Sequence, residues 1–320
     1  MRPRAACGYE TETAPSMPEG DTVWRTAQRL DAALRGRVLE TAEFRVPAYA
    51  EVDLTGQRVV ETVSRGKHLL TRLDEVTLHT HLKMEGSWHI YKAGAPWRSP
   101  GFQARVVLAT GSWQAIGFRL AVVDLVPRDQ EHTLVGHLGP DVLGPDWSAA
   151  DVLRRLGARP ERPIGEALID QRNLAGVGNL YKCEVCFVLG VHPHTPVGDV
   201  DVLPQLLDKV HRMLEVNKDR AQQTTTGNMR RGQQNWVYAR SGKPCLRCGT
   251  PISEQTVATA DDVERGVTPY APRNPVSRTT RPSNAGAATG PRRRGAVSAV
   301  GRPSQARVSY WCPTCQPEPS

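Results

Sequence analysis

Two Cys-x-x-Cys pairs, Cys245/Cys248 and Cys312/Cys315, constrain this 320-residue chain more than any other feature. Paired knuckles of this kind supply the four thiolates of a zinc ribbon, in which one tetrahedral Zn²⁺ has a structural role. Seven cysteines in all are too few for a disulfide scaffold of this length, so metal binding in a reducing compartment is the expected reading. The separation is unusual, because 63 residues lie between Cys248 and Cys312 where about 15 to 20 are ordinary. Residues 254–306 account for the excess: they are poor in large apolar side chains and rich in Pro, Gly, Ser, Thr and Arg. Such a stretch cannot bury enough surface to offset its ordering entropy, and a disordered insert is expected there. Lengthening the closed loop this much costs only about 1 kcal/mol, so the zinc site is expected to survive it. A third pair, Cys183/Cys186, lies inside the apolar helical pattern NLYKCEVCFVLG and reads as packing rather than metal binding. Cys7 carries no inference.

The rest of the chain divides by hydrophobic period. Val23, Ala27, Leu30 and Leu34 recur at helical spacing, with Asp21 or Thr22 as the expected N-cap and Gly36 as the stop. Over residues 37–127 short runs such as GQRVVETVSRG, HLLTRL, VTLHTHL and ARVVLAT are separated by turn residues, which predicts an antiparallel β-sandwich. After the Pro- and Gly-rich LGPDVLGPDW, helical patterns take over, beginning with Ser148 and Asp151 as a variant capping box before VLRRLG. An α+β chain follows, with a leading helix on a sandwich, then a helical unit, then the ribbon. Its expected divisions are an extension at 1–17, a sandwich at 18–140, a helical unit at 146–236 and a ribbon at 237–316 broken by the insert.

No apolar run approaches the roughly 18 residues needed to span a bilayer, and residues 1–16 have no apolar core of the signal-peptide kind. A cytoplasmic protein that does not engage membranes is expected. The net charge of +8 allows a nucleic-acid partner, but residues 254–306 carry eight arginines and four acids, hence half of that excess. The folded part is therefore expected to be only modestly basic.

Four motifs occur in a telling order: M-P-E-G-D-T-V at Met17 to Val23, R-G-K-H-L-L at Arg65 to Leu70, L-A-G-V-G-N at Leu174 to Asn179, and the ribbon ending R-V-S-Y-W-C-P-T-C-Q. Together they resemble the formamidopyrimidine-DNA glycosylase and endonuclease VIII family of base-excision repair enzymes, especially its actinobacterial endonuclease VIII-like branch. The resemblance implies a monomeric, bifunctional DNA glycosylase and AP lyase acting on damaged DNA, with a helix-two-turn-helix unit and a zinc ribbon. It assigns Pro18 as the Schiff-base nucleophile, freed when the chain starts at Met17 and Met17 is removed. An internal proline is an amide without nucleophilicity, so the sixteen residues written before Met17 must be absent or cleaved for this chemistry. On its own Pro18 would read as a helix-leading proline.

The same resemblance implies a proton-transfer role for Glu19, which otherwise reads as a first-turn glutamate favouring the helix dipole. Lys67 would bind phosphate beside the lesion and assist β-elimination, and Arg307 would clamp the lesion's phosphates and assist δ-elimination. Asn179 and the free N–H groups of its helix would grip a phosphate, a use that helix N-termini favour. Met84 matches the wedge that fills the gap left by the rotated nucleotide, although a lone methionine more often packs in a core. The other void-filling residues of the formamidopyrimidine branch have no counterpart here, which tilts the substrate toward oxidised pyrimidines over oxidised purines. Two other classes stay open on the residues alone: a noncatalytic DNA-damage-binding protein whose Pro18 is blocked, and a zinc-ribbon adaptor acting through the insert.

Overall fold

The computed structural model describes residues 18–256 and 308–319. The extension at 1–17, most of the expected insert and Arg307 lie outside the described residues.

Helix α1 (Gly20–Leu34) leads into eight strands: β1 (Thr41–Phe44), β2 (Val59–Arg65), β3 (His68–Leu73), β4 (Val76–His81), β5 (Ser87–Lys92), β6 (Ala104–Ala109), β7 (Trp113–Phe118) and β8 (Val122–Pro127). They form two antiparallel four-stranded sheets, in the orders β1-β6-β7-β5 and β2-β3-β4-β8. Both sheets send alternate apolar residues into one core, among them Phe44, Val106, Leu108 and Ala115 from the first and Val59, Leu69, Leu73 and Leu78 from the second. The expected sandwich is therefore present, and Val23, Ala27, Leu30 and Leu34 of α1 are buried in that core.

The start of α1 differs from expectation. Its N-cap is Glu19, not Asp21 or Thr22. Asp21 is fully buried and its carboxylate accepts hydrogen bonds from distant residues, so it is not available to cap its own helix. Gly36, with φ of 73°, turns the chain just beyond the helix, as its sequence position suggests.

A short α2 (His132–Val135) precedes the helical half: α3 (Ala149–Gly157), α4 (Ile164–Ile169), α5 (Asn179–Val188) and α6 (Leu203–Asn217). Ser148 caps α3, its hydroxyl accepting the Asp151 N–H at 3.3 Å. Val152, Leu156, Leu168, Val185, Leu207, Val210 and Leu214 close a second core between these helices. Among the described residues no helix is long and apolar enough to cross a membrane.

The last elements are β9 (Ser253–Thr256) and β10 (Val308–Trp311), an antiparallel pair. Residues 254–256, which the sequence places in the insert, belong to β9. The ladder explains this: Glu254, Gln255 and Thr256 pair with Tyr310, Ser309 and Val308, so backbone hydrogen bonds compensate for a composition that is weak by itself. Cys183 and Cys186 are buried on α5, and Cys183 Sγ accepts the Tyr310 N–H at 3.4 Å. Cys183 packs the ribbon onto α5 and Cys186 packs in the core between the helices, as the apolar pattern suggests.

Candidate active site

The R-G-K motif acts as a joint between the two halves. Arg65 at the end of β2 makes a salt bridge to Asp146 and donates to the Gly139 carbonyl at 3.0 Å. Gly66 follows with φ of 58°, and its N–H donates to Asp141 Oδ2 at 2.7 Å. A Cβ there would stand 2.9 Å from the Ala175 side chain, so both backbone and space require glycine. The turn thereby carries Lys67 to the Gly-rich segment before α5.

Glu19 meets Lys67 at that segment. The Glu19 carboxylate accepts N–H groups from Gly178 at 2.9 Å and Leu180 at 2.7 Å, so it sits on the N-terminus of α5. A Cβ on Gly178 would lie 2.6 Å from Lys67 Nζ and 2.7 Å from the Glu19 carboxyl carbon. Only glycine lets the carboxyl and ammonium groups converge there. Gly20 is similarly tight, since its Cβ would stand 2.9 Å from the Gly176 carbonyl oxygen. Pro18, half-buried, immediately precedes Glu19, which brings the proposed nucleophile to the same corner.

Burial pushes the Glu19 carboxyl up to about 7, aided by the negative charge of Asp21 and opposed by Lys67 and the two N–H donors. Burial likewise pushes the Lys67 ammonium below its usual range, with Lys83 adding to the effect and Glu19 opposing it. An acid that carries its proton near neutrality beside a depressed amine is an arrangement suited to proton transfer.

Asn179 behaves differently from the sequence expectation. It is the first residue of α5 rather than its cap, is 2% exposed, and its Nδ2 donates to the Val308 carbonyl at 2.8 Å. The N–H groups expected to be free for phosphate are occupied by Glu19. The group filling this helix end is thus an internal carboxyl from the residue that caps α1. Through Val308, Asn179 ties β10 to the site, while Arg307, one residue earlier, lies outside the described residues.

Met84 is 39% exposed in the turn between β4 and β5, where Lys83 has φ of 51° and the Gly86 N–H closes onto the Leu82 carbonyl. A core role is excluded, and an apolar side chain displayed from a tight turn suits a wedge. The four cysteines Cys245, Cys248, Cys312 and Cys315 come together with their sulfurs all within 4.8 Å of one another. Zn–S bonds of about 2.3 Å in a tetrahedron require sulfurs about 3.8 Å apart, so the cluster fits the ion. Backbone turns shape it, the Gly249 N–H donating to the Cys245 carbonyl and the Gln316 N–H to the Cys312 carbonyl.

The buried acids Asp141 and Glu184 were not singled out in the sequence, and Asp141 holds the Gly66 turn. Glu184, fully buried on α5, accepts the N–H groups of Trp236, Val237 and Tyr238 and the Thr225 hydroxyl, which fixes the approach to the ribbon. A carboxylate inside an apolar helix was the available signal, since such a group needs partners. Asp21 drew notice only as a cap.

A family model for the formamidopyrimidine-DNA glycosylase N-terminal domain matches residues 17–125, and one for the H2TH domain of the same enzyme matches residues 138–225. The chain is 45% identical over 308 residues to a probable endonuclease 8 2 of Streptomyces coelicolor, covering 95% of each. It is 47% identical over 237 residues to a DNA-(apurinic or apyrimidinic site) lyase of Mycolicibacterium smegmatis, covering 74% of this chain and 92% of that one. The same fold occurs in a Lactococcus lactis Fpg solved with abasic-site DNA, at 21% identity and a TM-score of 0.68, covering 94% of this chain and all of that one. With both halves matched in order and the relatives spanned almost end to end, the chain belongs to the formamidopyrimidine-DNA glycosylase and endonuclease 8 family of DNA glycosylases and AP lyases.

Proposed function

We propose that this chain excises oxidised pyrimidines from DNA and then cleaves the strand by β,δ-elimination. The observation that carries the reading is the convergence of Glu19 and Lys67 at Gly178, directly after Pro18. With Pro18 as first residue, its secondary amine bonds to C1′ as the bond to the damaged base breaks, the amine proton passing to the departing base, and the iminium forms when the C1′–O4′ ring bond opens. Glu19 protonates the sugar-ring oxygen as the ring opens. Lys67 binds the phosphate beside the lesion and assists the loss of the 3′ phosphate, and Arg307 serves the 5′ side. Met84 fills the space left in the duplex. Asn179 supports DNA binding by holding β10, and residues 18–140, 146–236 and 237–316 act as catalytic, DNA-gripping and ribbon units.

Incubation of protein beginning at Pro18 with duplexes carrying single defined lesions tests the substrate. Oxidised pyrimidines should be released at least about tenfold faster than oxidised purines, a pocket preference of about 1.4 kcal/mol. Equal or reversed rates overturn the pyrimidine assignment.

The four thiolates would hold one structural Zn²⁺, which when bound cross-links the two knuckles and takes no part in the chemistry. Metal analysis should return one zinc per chain. Cys312→Ser or chelation should weaken DNA binding by about tenfold or more, because metal binding and folding of such a ribbon are one equilibrium. Full DNA affinity in metal-free protein would count against this role.

A further inference from the structure

Asp21 is fully buried two residues after Glu19. The Tyr181 hydroxyl on α5 donates to Oδ2 at 2.8 Å. From the segment after α6, Gln223 Nε2 donates to Oδ1 at 2.7 Å and to Oδ2 at 2.9 Å. Burial raises the Asp21 carboxyl overall, opposed by the Tyr181 and Gln223 donors, the Thr22 N–H and the Arg25 charge.

Those donors come from three parts of the chain: α1 itself, α5 and the segment beyond α6. Asp21 therefore pins the first turn of α1, and with it Pro18 and Glu19, to the helical half. The Tyr181 side chain that grips Asp21 follows the residues whose N–H groups grip Glu19, so one turn of α5 holds both acids.

We propose that Asp21 is a positioning residue that holds the Pro18–Glu19 turn against α5 and, by its fixed negative charge, keeps the proton on Glu19. Negative charge on Asp21 raises the Glu19 carboxyl, so the two acids titrate as a linked pair. Asp21 is satisfied by Tyr181, Gln223 and Thr22, with Arg25 nearby. Glu19 faces Lys67 and the α5 N–H groups, and its carboxyl is raised to about 7. The groups facing the pair are thus Lys67, Arg25, Tyr181, Thr22 and Gln223.

This inference rests on the proposed function, in which Glu19 acts as an acid. Its test uses protein beginning at Pro18 and reads two quantities: single-turnover base excision from pH 5.5 to 9, and borohydride trapping on DNA with a preformed abasic site. In Asp21→Asn the alkaline limb of excision should move down by about one pH unit, about tenfold in rate at pH 8.5, while the rate at pH 5.5 changes little. Trapping at the abasic site, which needs no base departure, should persist. Tyr181→Phe, which removes only one donor, should move the limb in the same direction by less, because the shared proton then shifts toward Asp21. A uniform loss across the pH range in both variants would reduce Asp21 to a structural tie and overturn the proposal. If the unsubstituted protein fails to trap, the proposed function itself falls; if it traps and both variants keep its pH profile, only the role of Asp21 falls.

Discussion

Protein whose first residue is Pro18 will form a borohydride-stable adduct with abasic-site DNA, and protein retaining residues 1–17 will not. The reason is elementary. In a longer chain the Pro18 nitrogen is a tertiary amide whose lone pair is delocalised into the carbonyl, whereas at a free terminus it is a secondary amine able to form an iminium with C1′. The expected difference in adduct yield is on the order of 10³-fold, the scale on which loss of a covalent nucleophile acts. Pro18→Gly at the terminus keeps a primary amine and should weaken or shift trapping rather than abolish it. Equal trapping by the two lengths of chain would mean that another amine is the nucleophile. Lys67 would be the first to examine, since burial already lowers its proton affinity and it stands beside Glu19.

Replacement of Glu19 by Gln should have the next largest effect, a fall in base excision of about 10² to 10⁴, the usual contribution of a positioned general acid. The amide keeps the shape, but its single oxygen can accept only one of the Gly178 and Leu180 N–H groups, which reach different Glu19 oxygens, so a modest loosening of the turn accompanies the loss of the transferable proton. The pH dependence gives the sharper readout. Because the Glu19 carboxyl is raised to about 7, its proton-carrying form dominates below that pH and declines about tenfold per unit above it. Excision by the unsubstituted protein should therefore fall on the alkaline side of neutrality, and Glu19→Gln should lose that limb. An unchanged limb would assign the titration to another group. Cleavage at a preformed abasic site should suffer less, because no base has to leave.

Much of the site was legible because its residues sit in local motifs. The R-G-K turn marks Lys67 since Gly66 must accept both a positive φ and the Ala175 contact, and the A-G-V-G segment announces a close approach before α5. The cysteine pairs announced their own cluster across 63 intervening residues, because knuckle geometry is local even when the loop is long. Asn179 was legible as important but not in its contact. Its amide reaches Val308, 129 residues later, and no sequence pattern encodes that pairing. The N-cap of α1 was misplaced for a related reason: Asp21 has the right chemistry for a cap, and only the arrival of Tyr181 and Gln223 diverts it.

The sequence by itself determined the two architectures, the paired cysteine knuckles and the family, because periodicity, turn glycines and cysteine spacing act over a few residues at a time. Tertiary structure alone decided that the α5 N-terminus is filled by Glu19, that Met84 is displayed rather than packed, and that Asp21 and Glu184 are buried anchors. Each of these depends on which donors surround a group once distant segments meet. A carboxyl group's proton affinity is set by that surrounding and not by its neighbours in the chain.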